Sequence, residues 1–229
     1  MIDDFSPLWI SMRSAACATL ITLVLGVAAA WFVAAYSKKT KGFIDGILTL
    51  PMILPPTVVG FFLLMIFGKN GFIGGLLEKF NIEIIFSWAA IVIAASVVSF
   101  PLMYRTVRAA FEQIDSNILD AARVLGANEF KLLFKVAIPV AWPGIAAGTI
   151  LSFARSLGEF GATLMVAGNI PGRTQTIPVA IFFAAEGGEM NKAYLWVALI
   201  FAISLIVMVL MNYWSGYQSK LLFHPRGKL

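Results

Sequence analysis

Residues 8–36, 43–67, 88–110, 140–167 and 193–214 are five runs of mostly apolar residues, each long enough to cross a bilayer. A spanning helix needs about 20 such residues, because the hydrocarbon core is about 30 Å thick and a helix rises about 1.5 Å per residue. The runs predict an all-α integral membrane protein with five transmembrane helices. With 60% of residues hydrophobic and 13% charged, little chain is left for a separate soluble domain, so residues 1–229 read as one transmembrane domain. A sixth apolar stretch, residues 177–185, is too short to span and reads either as a short re-entrant or interfacial helix that covers a pathway mouth or as an ordinary loop helix.

Loop charges give an orientation. Lys38, Lys39 and Lys41 lie between the first two runs. Arg105, Arg108, Arg123, Lys131 and Lys135 lie at or between the ends of the third and fourth, and Lys220, Arg226 and Lys228 follow the fifth. Excess Lys and Arg marks cytoplasmic loops. The N-terminus, with Asp3 and Asp4, is therefore expected outside and the C-terminus inside. The formal charge of +5 needs no nucleic acid to explain it. Met1-Ile2-Asp3-Asp4 is acidic where a signal peptide is basic, so no cleaved signal is expected. Cys17 is the lone cysteine, His224 the lone histidine, and neither suggests a metal site.

One sizeable polar segment, residues 112–139, separates the third and fourth runs on the cytoplasmic side. Ile114, Ile118, Ala121, Ala122 and Leu125 recur at helical steps. Asp115-Ser116-Asn117 supplies helix-start residues, and Gly126 can end the helix in a left-handed turn. A second helix begins at residues 128–135, and Pro139 marks entry to the fourth span. This helix-turn-helix reads either as a docking element for a soluble partner or as an amphipathic connector.

The segment resembles the EAA motif of the permeases of ATP-binding-cassette importers: Glu-Ala-Ala, three residues, Gly, nine residues, Ile-x-Leu-Pro. Here stand Asp120-Ala121-Ala122, three residues, Gly126, nine residues and Val136-Ala137-Ile138-Pro139. The resemblance implies that Asp120, Ala121, Ala122, Gly126 and Pro139 belong to the coupling helices that sit in a cleft of an ATPase subunit. The chain has no G-x-x-x-x-G-K-[ST] loop to cradle phosphates. It is therefore not expected to be an enzyme alone, nor to hold a cofactor; ATP and Mg²⁺ belong to the partner.

Polar residues inside the runs are the candidates for a pathway. Thr149, Ser152, Ser156, Glu159 and Thr163 step by three and four along the fourth span, with Arg155 four residues from Glu159. A charge at such depth is costly and faces a partner or a water-filled cavity. The set reads either as lining for an anion or as interhelical glue. Gly144 and Gly148 read as packing positions. In the second span, Pro51, Pro55 and Pro56 free backbone carbonyls within the membrane, as at a kink or at a transporter's interrupted helix.

Residues 50–60, 152–163 and 168–178 are similar to the molybdate permeases of that importer family, with sulfate and tungstate permeases the nearest alternatives. The resemblance implies two ATPase subunits, an extracytoplasmic oxyanion-binding protein and the inner membrane of a prokaryote. Five spans do not readily enclose a polar path, so a homodimer is expected. A channel or a scaffold without an ATPase is the alternative of another class.

Overall fold

Backbone groups buried in lipid must find their partners within their own segment, and the chain answers with helices. The computed structural model describes residues 4–35 and 38–222; Asp3, His224, Arg226 and Lys228 lie outside them. Three helices run unbroken: α1 (Ser6–Ala35), α5 (Trp88–Glu112) and α11 (Met190–Leu222). Among the described residues, four stretches are long and apolar enough to cross a membrane: Ser6–Ala34, Trp88–Glu112, Glu129–Leu157 and Met190–Val209.

The second expected span, 43–67, is a bent pair. α2 (Lys38–Ile53) and α3 (Pro56–Phe67) meet at 108°, and only as one broken span do they bring the count to five. The cause is local. A residue before proline is pushed out of the helical region, and Leu54 and Pro55 each precede one. Pro55 is extended, with φ −54° and ψ 137°. Pro51, by contrast, is carried inside α2. A short helix, α4 (Phe72–Glu78), follows α3.

The fourth expected span, 140–167, also differs at both ends. It breaks at Gly158–Phe160 into α8 (Ile138–Leu157) and α9 (Gly161–Ala167). Its start lies further back. α7 (Glu129–Leu132), a π turn (Leu133–Ala137) and α8 run as one helix of 29 residues. At about 1.5 Å per residue that is about 43 Å, longer than the hydrocarbon core, so one end stands clear of it. Pro139 therefore does not mark the helix entry. It sits just past the π turn, where the Ile138 N–H reaches back five residues to the Leu133 carbonyl. The widened turn precedes a residue that cannot donate and whose ring crowds the preceding turn.

α5 is the most deeply buried span and α11 the least. At the Trp88 end of α5, Ile91, Ala94 and Val98 pack with Val59, Leu63, Ala162 and Val166. At its Glu112 end, Met103, Tyr104, Val107 and Phe111 pack with Ala30, Val33, Ala141 and Ile145. Gly144 and Gly148 are packing positions, as expected: a Cβ at Gly144 would lie 2.4 Å from Ala110 Cβ, and one at Gly148 3.1 Å from Met103 Sδ. Residues 177–185 form α10 (Ile177–Glu186), held to α1 by the Ile177 N–H donating to Ser11 Oγ at 2.8 Å.

Candidate functional site

Two places gather the candidate residues. The first is the segment after α5. α6 (Ser116–Val124) begins where the Asp115 carboxylate accepts the Asn117 N–H at 2.9 Å, satisfying one of the orphan donors of a helix start. It ends in a paired closure. The Gly126 N–H donates to the Arg123 carbonyl at 2.9 Å, and the Ala127 N–H donates to the Ala122 carbonyl at 3.0 Å. That closure needs a left-handed residue, and Gly126 has φ +83°. Asn128 then caps α7 by accepting the Lys131 N–H at 2.9 Å. Arg123 clips the two helices together, 2.9 Å from Asp120 and 3.1 Å from Glu129. These bonds to two carboxylates hold its guanidinium above the usual arginine range, the Glu129 bond most.

The buried side of this unit is Ile114 and Leu132, while Ile118 is 46% exposed and Leu125 87%. The expected stripe through Ile114, Ile118 and Leu125 is thus divided between two faces, because the chain turns between α5 and α6. Val124 is 88% exposed and Phe130 72%. An apolar knob made of Val124, Leu125 and Phe130 faces outward, as on a surface made to be covered. Asp120, Ala121, Ala122 and Gly126 form the frame of this knob, and Pro139 lies further along the second helix.

The second place is where the two broken helices meet. A Cβ on Gly161 would lie 3.0 Å from Pro56 Cβ, and one on Gly60 2.9 Å from Ala162 Cα. So the first turns of α3 and α9 touch, and the break at Leu54–Pro55 faces the break at Gly158–Phe160. Phe160 adds α10 to the junction, with its ring centroid 5.2 Å from that of Phe182.

Glu159 belongs to this junction. It leaves the expected helical face, because α8 ends at Leu157. Its Oε1 accepts the Ala162 N–H at 2.8 Å and so caps α9. Its Oε2 lies 2.9 Å from Arg155 Nη1, an ion pair outside hydrogen-bond angles. The Glu159 side chain is 2% exposed and that of Arg155 32%. Ser152 is fully buried, its Oγ 3.5 Å from the Ser99 carbonyl of α5, a contact that packs helices. Ser156 Oγ and Thr163 Oγ1 are buried with no protein hydrogen-bond partner, one on each side of the break. Pro55 is exposed at the junction, whereas Pro51 lines a separate apolar groove with Leu25, Ser96 and Phe100.

Two polar features escaped the reading of the sequence. Arg13 in α1 lies over the Trp88 ring, 4.2 Å from its centroid. Its intramembrane charge was the available signal. Asp45 pairs with Arg108 across 63 residues of chain. The four-residue spacing of Lys41 and Asp45, matched by Tyr104, Arg108 and Glu112, was the clue there.

A family model described as "Binding-protein-dependent transport system inner membrane component" matches residues 15–217. The molybdenum transport system permease protein ModB of Escherichia coli (strain K12) is 41% identical over 210 residues, 90% of this chain and 91% of that protein. The sulfate transport system permease protein CysT of the same strain is 34% identical over 203 residues, 89% of this chain and 73% of that protein. Among solved structures, the MetNI methionine ABC transporter in inward facing conformations superposes with a TM-score of 0.71 at 14% identity, over 92% of this chain and 94% of that one.

Proposed function

The chain belongs to the family of binding-protein-dependent transport system inner membrane components, and from that membership we propose that it is the permease subunit of an ATP-driven molybdate importer. It is a multi-pass membrane protein that is not catalytic alone. Its partners are a separate ATPase and a substrate-binding protein. The observation that carries the cargo is the graded similarity: 41% identity over nearly the whole of a molybdenum permease, against 34% over about three quarters of a sulfate permease.

In this reading two copies of the chain assemble in the inner membrane of a prokaryote, N-terminus outside, with two ATPase subunits below and an oxyanion-binding protein above. The knob of Val124, Leu125 and Phe130 seats in the ATPase; its exposure supports this, since large apolar side chains left bare by folding are what a partner covers. ATP binding draws the ATPase subunits together and moves the two knobs. The spans then pass between inward-open and outward-open states whose relative stability the nucleotide shifts. The junction of the two broken helices is the pathway candidate. Pro55 and Pro56 interrupt the helix there, Arg155 offers a half-covered cation, and Ser156 offers an unpaired hydroxyl. Ser152 and Glu159 act mainly as packing and capping groups beside it.

The test is uptake of labelled molybdate into proteoliposomes holding the complex, with external binding protein and internal ATP. Unlabelled molybdate should abolish uptake at concentrations where sulfate does not. Equal competition by sulfate would move the cargo to sulfate, and uptake without ATP would remove the importer reading.

A further inference from the structure

At the Glu112 end of α5, two helices are matched charge for charge. Lys41 and Asp45 are one turn apart on α2, and Tyr104, Arg108 and Glu112 are successive turns of α5. Lys41 Nζ lies 2.7 Å from Glu112 Oε1. Arg108 donates through Nε to the same Oε1 at 2.9 Å, through Nη1 to Asp45, and also through Nη1 to the Tyr104 hydroxyl at 3.3 Å. The Arg108 side chain is 19% exposed and that of Lys41 24%, while Tyr104 is fully buried. This is no isolated surface pair. Partly desolvated ions in a network are held more firmly and screened less by salt than exposed ones.

The position of this lattice gives it a consequence. Glu112 is the last residue of α5, and three residues separate it from the start of α6. Of those three, Ile114 is buried in the same core as Phe111 and Val107. A displacement of α6 therefore pulls directly on the end of α5. α2 rests mainly on α5 and only lightly on α1. Its other end is the 108° break, which faces α9.

We infer that Lys41, Asp45, Arg108 and Glu112 are positioning residues for transport: they make α2 follow α5 when the knob moves, and the hinge at Leu54–Pro55 passes that motion to the junction of the broken helices. This rests on the importer reading above. Without it only apolar packing, which includes Ile44 and Leu48 of α2, ties α2 to the core around α5.

The measurement is molybdate imported per ATP hydrolysed, read on whatever complex assembles. Asp45→Asn and Lys41→Met should each lower that ratio, and together lower it about tenfold, within the usual range of coupling between sites. ATPase stimulation by binding protein should persist. Reversing the whole lattice with Lys41→Glu, Asp45→Arg, Arg108→Asp and Glu112→Lys should restore the ratio. A ratio that stays at wild type in the neutralised variants, even at reduced assembly, overturns the inference. So does a reversed lattice that assembles and hydrolyses ATP without recovering import. If the unaltered complex hydrolyses ATP but imports no molybdate, the proposed function fails instead.

Discussion

The two oxygens of Glu159 act separately, one closing the first turn of α9 on the Ala162 N–H and the other meeting Arg155. Removing the carboxylate strands a buried donor, at a cost of about 1–3 kcal/mol. Glu159→Gln keeps an acceptor for that N–H and loses only the ionic attraction. The resistance of the assembled complex to heating should therefore fall in the order wild type, Glu159→Gln, Glu159→Ala. Equal loss in the two variants would contradict the capping role. Arg155→Ala leaves a buried carboxylate without its counter-ion. Breaking a buried pair costs about 3–5 kcal/mol, and less here because Arg155 keeps some contact with its surroundings. Uptake per assembled complex separates its two roles: a path residue lowers that figure, whereas a packing residue lowers only the amount assembled. The four-residue spacing of Arg155 from Glu159 was legible in the sequence. The cap was not, because it depends on the helix ending at Leu157, and no residue there announces a break as plainly as a proline does.

The segment after α5 is an element built from caps. Its frame depends on Asp115, Gly126 and Asn128, and each does a backbone task that its residue type suits. A side chain at Gly126 meets no neighbour, so only the left-handed backbone opposes substitution there. Gly126→Ala should cost about 1–2 kcal/mol locally. Gly126→Pro cannot reach φ +83° and removes the donor to the Arg123 carbonyl. The expected outcome is a protein that inserts into the membrane but no longer retains the ATPase on co-purification or imports with ATP. Retained ATP-dependent uptake would sink the assignment. Val124→Asp and Leu125→Asp leave the fold alone, because both side chains are already exposed, yet should weaken ATPase binding about tenfold or more if these are anchors of the docking surface. The motif spacing and the glycine turn could be read along the chain. Which apolar residues face outward could not, since that depends on the turn between α5 and α6. The fusion of α7 with α8 was hidden as well, because Pro139 signals a boundary that the π turn absorbs.

At the scale of the whole molecule, the contact between α3 and α9 governs whether the two breaks meet. Gly161→Leu would drive a side chain into Pro56 and Thr57. Overpacking of this kind costs about 1–3 kcal/mol. We expect a lower yield of assembled complex, and in what assembles a greater loss of uptake than of ATPase activity; an unchanged uptake per complex would show that the junction is not on the path. The sequence by itself determined that this chain lives in lipid, where its apolar runs lie and which segment stays polar. Those are matters of composition and of spacing, and desolvation acts on them residue by residue. Only the tertiary structure decided that the fourth run is broken as well as the second, that the breaks face each other and that Asp45 reaches Arg108. Those outcomes depend on which helices can approach closely. That in turn depends on small residues and opposite charges far apart in the chain, whose pairing no local pattern records.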